Sequence, residues 1–184
     1  MTLVVYCVTA IAVAQYIPTP KQKVNLLFAG DIMQHEAQLK AARTKNGTYS
    51  YKENWRYMKS TISSADVAIG NLETPIGKSG FSGYPSFCAP DSFLHAAVDA
   101  GFDVLLFANN HCLDKGKATA LYTLDAMDSL GVQHCGVYRN EQDRRERYPL
   151  IIEKQGVRIA LLNYTYGTNG RAIPQPLIVS STII

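Results

Sequence analysis

Three short apolar runs dominate the pattern of this chain, and each is followed by polar residues and then by a segment with helical spacing. The runs cover residues 24–30, 66–71 and 103–107. A helical pattern is clearest over residues 118–130, where leucine and methionine recur every three or four positions. Strands that alternate with helices predict an α/β domain built on parallel strands.

Two later apolar runs, residues 148–154 and 157–165, are separated only by Gln155 and Gly156. A connection this short cannot form the crossover that parallel strands require, so it predicts an antiparallel hairpin. The sequence therefore predicts an α/β fold with a mixed sheet. Residues 74–90 are rich in glycine, proline and serine, and a loop of this length is more often functional than a spacer.

The first twenty residues differ in composition from the rest of the 184-residue chain. Residues 3–14 form an apolar run of signal-peptide size, shorter than the roughly 20 residues of a membrane span. The triplet at residues 12–14 (AVA) fits a cleavage site before Gln15, but no Lys or Arg precedes the run. An uncleaved anchor and a mis-assigned start codon are the alternatives to an exported protein of the periplasm or cell envelope. We expect a signal peptide or anchor with its tether over residues 1–20, and one domain over residues 21–184.

The charge balance excludes a nucleic-acid-binding protein. The chain has 18 basic and 15 acidic residues, and its largest charged cluster, residues 141–147, mixes both signs. Nucleic-acid binding requires a one-signed basic patch, so we expect no nucleic-acid partner and interpret the cluster as a solvated turn. Cys88, Cys112 and Cys135 lack the CxxC spacing of a zinc or disulfide signature.

Polar side chains gather directly after the three strands. Asp31 and His35 follow the first strand, Glu73 follows the second, and Asn110 and His111 follow the third. The carboxyl ends of parallel strands lie along one edge, so these groups are expected to meet. Their oxygens and nitrogens suit zinc, manganese or iron. The pattern predicts a divalent-metal site in which the acids can bridge ions, the amide oxygen completes the sphere, and the second histidine acts as an acid.

Several polar residues at the strand ends also have a structural explanation. Asp31 after a strand is often a helix cap, and His35 can be a surface residue of the following helix. Asn71 and Asn109 can simply form turns. Only the combination indicates a site.

Four segments, GDIMQH, SADVAIGNLETP, GFDVLLFANNHCLDKG and LLNYTYGTNG, resemble in order and spacing the CapA family of bacterial capsule and poly-gamma-glutamate biosynthesis proteins. The resemblance covers residues 24–170, and its NLE and ANNHxxDxG elements are the most diagnostic. The family is similar to the calcineurin-like metallophosphoesterases. The resemblance therefore implies a layered sandwich of mixed sheets between helices.

The resemblance also implies metal-binding roles. It makes Asp31 a ligand and His35 a companion ligand, although the D-x-H spacing of the superfamily is not kept. Glu73 stands where typical members have a bridging aspartate. The NNH element is similar to the GNH element of the superfamily, which makes Asn110 a ligand.

The same element makes His111 the proton donor or transition-state stabiliser, with Asp114 to orient it. The superfamily completes its site with histidines from the second half of the fold, and no histidine follows His134 in this sequence. We therefore expect an N-terminal portion of the fold, with the second half largely missing and weak metal binding.

The family implies a role in the synthesis or export of capsule or poly-gamma-glutamate. The expected partner is an anionic cell-surface polymer or the machinery that makes it, with membrane association through the N-terminus. A metal-dependent hydrolase is expected if a C-terminal half completes the site. The alternatives are a non-catalytic surface component that binds polymer and an inactive truncated gene product.

Overall fold

The computed structural model describes residues 22–182, and its centre is a parallel sheet of four strands. The expected leader over residues 1–20 lies outside the described residues. The elements in chain order are β1 (Leu26–Ile32), α1 (Glu36–Ala42), a 3-10 helix (Lys52–Trp55), α2 (Lys59–Ser63), β2 (Val67–Leu72), α3 (Asp91–Ala100), β3 (Val104–Leu106), α4 (Gly116–Ser129), β4 (Gln133–Cys135), β5 (Val137–Tyr138), α5 (Glu141–Arg147), β6 (Leu150–Lys154), β7 (Val157–Leu161) and β8 (Ile178–Val179). The central sheet has the strand order β1-β2-β3-β4, and the predicted α/β class is confirmed.

The two faces of the parallel sheet bury different layers. Side chains such as Leu72 and Leu105 belong to the main core, which the helices cover. Val67 and Ile69, on either side of the main-core residue Ala68, pack in a second, smaller core with residues of the β6–β7 pair. Alternation along a strand sends neighbouring side chains to opposite faces, so the sheet lies between the helices and the β6–β7 pair.

The β6–β7 pair is the antiparallel hairpin that the sequence predicts. Gln155 and Gly156 connect its strands with φ angles of 50° and 76°, as a two-residue hairpin turn requires. The hairpin packs against the face of the parallel sheet through Ile152 and Leu161 and is hydrogen-bonded as a sheet of its own. In the described residues, therefore, the central sheet is not mixed, because the hairpin joins it by side-chain packing.

Local structure also differs from the sequence expectation at the charged cluster of residues 141–147. The charged cluster expected to be a solvated turn is helix α5, whose first turn is capped by the side chain of Asn140 accepting from the Asp143 amide. At Gly136, a φ of 104° turns the chain from β4 into β5. None of the helices within residues 22–182 has both the length and the hydrophobicity that a membrane span requires.

Candidate functional site

The carboxyl ends of β1, β2 and β3 are joined by a chain of side-chain amides. Asn71 Nδ2 donates to Asp31 Oδ1 over 2.7 Å, and Asn109 Nδ2 donates to Asn71 Oδ1 over 3.1 Å. Asp31 pairs in register with Asn71 inside the sheet, so it is a strand residue, and its interpretation as a helix cap is wrong. Asn109 also forms the expected turn, since its Oδ1 accepts from the backbone of His111. The three strand ends therefore share one edge.

Glu73 is buried directly after β2, next to this chain of amides. Its Oε1 atom lies 3.7 Å from His111 Nε2, and its Oε2 atom is buried without a hydrogen-bond partner. Burial, followed by the neighbouring Asp31 carboxyl, raises the pKa of Glu73 to about 7. The neighbouring carboxylates of Asp31 and Glu73 repel each other when both are ionised. The site therefore favours either a proton or a cation at Glu73.

His111 and Asp114 form a buried pair. His111 Nδ1 lies 2.7 Å from Asp114 Oδ2, and the same oxygen accepts from the backbone N–H of Phe87 over 2.7 Å. A carboxylate accepts and cannot donate, so His111 carries its proton on Nδ1 and turns Nε2 towards Glu73. This geometry fits the orienting role that the resemblance implies for Asp114.

The loop over residues 74–90 supplies an aromatic wall to the site. The Phe87 ring contacts the His111 ring edge-on, with centroids 4.6 Å apart. Gln34, fully buried, anchors the loop by donating to the Cys88 carbonyl over 2.8 Å and accepting from the Tyr51 hydroxyl. Sequence reasoning missed Gln34, and nothing in its local pattern marks it as buried.

His35 is the N-cap residue of α1 and is exposed. Its ring stacks on Tyr84 and meets Phe87 edge-on, with centroid distances of 6.4 and 5.5 Å. Asn110, half-buried, donates from Nδ2 to Asn169 Oδ1 over 3.3 Å. The structure thus brings Asp31, Glu73, His111 and Asp114 together and sets His35 at the aromatic rim. Asn110 directly precedes His111 in the chain, and its side-chain amide contacts Asn169.

The donor atoms define what the site can hold. Within residues 22–182, no three Asp, Glu, His or Cys side chains are arranged to hold a metal ion together. The carboxyl groups of Asp31 and Glu73 are neighbours. Glu73 Oε2, which has no hydrogen-bond partner, is an oxygen atom that can serve as a ligand to a cation. The two acids suit a weakly held divalent ion, and Asn110, whose nitrogen contacts Asn169, has an amide oxygen that is a candidate third ligand.

Comparison with known proteins identifies a family for this chain. The family model described as "Bacterial capsule synthesis protein PGA_cap" matches residues 25–178, a range that contains every residue of the site. The capsule biosynthesis protein CapA of Bacillus anthracis is 27% identical over 162 residues, which is 84% of this chain and 38% of the relative. The match therefore spans less than half the length of that relative. Because the family model covers well over half of the sequence, the chain belongs to the PGA_cap family of bacterial capsule synthesis proteins.

Proposed function

We propose that this protein takes part in the synthesis or export of an anionic capsule polymer such as poly-gamma-glutamate, through a divalent-metal site of the metallophosphoesterase type. One observation carries the proposal: His111 presents Nε2 to the Asp31–Glu73 pair while Asp114 holds Nδ1. The helices, the parallel sheet and the hairpin form successive layers, which supports a metallophosphoesterase-like sandwich. The family membership supports the link to capsule.

Asp31, Glu73 and Asn110 would hold the ion. A bound divalent ion polarises a phosphoryl or acyl oxygen and makes hydroxide accessible near neutral pH. With Nδ1 donating to Asp114, Nε2 of His111 is free to accept a proton from a water or hydroxyl group at the reacting centre and to return it to the leaving oxygen. Phe87 packs on the ring and limits the access of water to it.

Isothermal titration calorimetry with Mn²⁺ and Zn²⁺ tests the site. We expect the unmodified chain to bind with a Kd of roughly micromolar or weaker, near −8 kcal/mol at most. Glu73→Gln should weaken binding at least about tenfold, because it removes a charged ligand. The matched control is Glu153→Gln, which makes the same change on the exposed strand β6. Binding by Glu73→Gln equal to that of the control would contradict the site.

A non-catalytic polymer-binding role is the second candidate. It is favoured by the absence, within residues 22–182, of three acidic, histidine or cysteine side chains placed around one ion. Titration of labelled poly-gamma-glutamate with the protein, once in EDTA and once in Mn²⁺, distinguishes the binding role from the hydrolase. Binding that survives both EDTA and Glu73→Gln, without any shortening of the polymer, would favour the binding role. Polymer shortening that requires Mn²⁺ and Glu73 would favour the hydrolase.

A further inference from the structure

We propose that Asn169 is a positioning residue that fixes the orientation of the Asn110 side-chain amide. The inference rests on the proposed metal site. Asn110 Nδ2 donates to Asn169 Oδ1 over 3.3 Å, across a sequence separation of 59 residues. The nitrogen and the oxygen of an amide point in different directions from one planar group. The bond to Asn169 therefore uses the nitrogen of Asn110 and leaves its oxygen for a cation.

The backbone alone does not account for the side chain of Asn169. Asn169 and Gly170 have φ angles of 51° and 74°, and the Arg171 amide donates to the Thr168 carbonyl over 3.0 Å. These features define a turn in which both central residues are left-handed, a position that favours asparagine, aspartate and glycine. Aspartate or glycine would satisfy the turn as well, so the turn does not require the amide that reaches Asn110.

The contact between Asn169 and His111 is of a different kind. Asn169 Nδ2 lies 3.4 Å from His111 Nδ1, but the proton on that ring nitrogen is directed to Asp114, 2.7 Å away. Two donors then face each other, so this contact is not a hydrogen bond. Asn169 consequently acts on the site through Asn110, while Asp114 determines which nitrogen of the His111 ring carries the proton.

Two substitutions separate the side chain from the turn. Asn169→Gly keeps the left-handed backbone and removes the acceptor, whereas Asn169→Asp keeps both the backbone and an acceptor for Asn110 Nδ2. We expect Asn169→Gly to bind Mn²⁺ about three- to tenfold more weakly, the range that one lost hydrogen bond implies. Asn169→Asp should bind at least as tightly as the unmodified chain. Equal affinity of the glycine variant and the unmodified chain, or an aspartate variant as weak as the glycine variant, would overturn the proposal.

A second measurement does not depend on metal. In the metal-free protein, the side-chain ¹⁵N–¹H signals of Asn110 should move towards those of a free amide in Asn169→Gly and stay shifted in Asn169→Asp. Absence of Mn²⁺ binding by the unmodified chain would refute the proposed metal site, and these signals would still decide the orientation. Unchanged Asn110 signals in Asn169→Gly would show that Asn169 does not position it.

Discussion

Asp114 holds His111 through a 2.7 Å contact between its Oδ2 atom and Nδ1 of the ring. The same oxygen accepts the Phe87 backbone N–H, also over 2.7 Å. One carboxylate thus joins the residues after β3 to the loop of residues 74–90. Because both side chains of the pair are buried, this junction contributes to stability as well as to the proposed chemistry.

Replacing Asp114 should destabilise the protein strongly. Asp114→Ala leaves the buried Phe87 N–H and the His111 ring without their acceptor, which we expect to cost about 2–4 kcal/mol in the free energy of unfolding. Urea denaturation followed by circular dichroism measures this loss. The control is Asp125→Ala, which removes an exposed ion pair with Arg139 and should cost at most about 1 kcal/mol. Equal losses in the free energy of unfolding for Asp114→Ala and Asp125→Ala would show that the contacts of Asp114 contribute no more stability than an exposed ion pair.

The stability of the metal-free protein should depend on pH through Glu73. Its pKa is about 7 in the folded state and near 4.5 without the fold, so between these values the folded state binds the extra proton. Stability from this group is therefore complete below pH 4.5 and is lost as pH rises to 7 and above. The loss is on the order of 3 kcal/mol, because each pH unit between the two pKa values corresponds to about 1.4 kcal/mol.

Glu73→Gln isolates this effect because glutamine mimics the protonated acid. Urea unfolding in EDTA at pH 5 and pH 8 measures the free energy of unfolding of both proteins. We expect the value for Glu73→Gln to increase relative to that of the unmodified protein as pH rises. His134, whose pKa burial lowers, contributes equally to both proteins and cancels in the difference. Glu153→Gln serves as the control with no such gain. An advantage of Glu73→Gln that is the same at both pH values would contradict the raised pKa of Glu73.

Gln34 should determine whether the loop of residues 74–90 stays folded on the site. Gln34→Ala leaves the Cys88 carbonyl and the Tyr51 hydroxyl without their partner, at an expected cost of about 2–4 kcal/mol. The loop should then be cut faster in limited proteolysis, with cleavage sites mapped by mass spectrometry. Gln142→Ala, on the exposed face of α5, should leave the cleavage rate unchanged. Protection of the loop in Gln34→Ala would mean that other contacts anchor it.

The N-terminal segment leads to a separate expectation. The apolar run of residues 3–14 and its AVA triplet predict cleavage before Gln15. N-terminal sequencing of the protein from the envelope fraction of its host should therefore begin near Gln15. Recovery of intact Met1 in a soluble cytoplasmic fraction would contradict export.

Local spacing carried enough information to predict several parts of the fold. Alternating apolar runs and helical segments predicted the α/β class, and Gln155 with Gly156 predicted the hairpin turn. These features depend on residues close together in sequence, where periodicity and turn preference act directly. Helix α5 was missed because its mixed charges hide the pattern, although Asp143 and Arg147 pair at the helical i, i+4 spacing.

The sequence by itself determined which residue types stand at the strand ends, and parallel strands then explain why Asp31 and Glu73 lie on one edge. Only the tertiary structure decided their environment. The burial and raised pKa of Glu73, the contact of Phe87 with Asp114, and the bond from Asn110 to Asn169 all arise between separate segments. The physical reason is that hydrogen bonding and desolvation depend on which atoms the packed core brings together, and residues 27 or 59 positions apart carry no local signal of that packing.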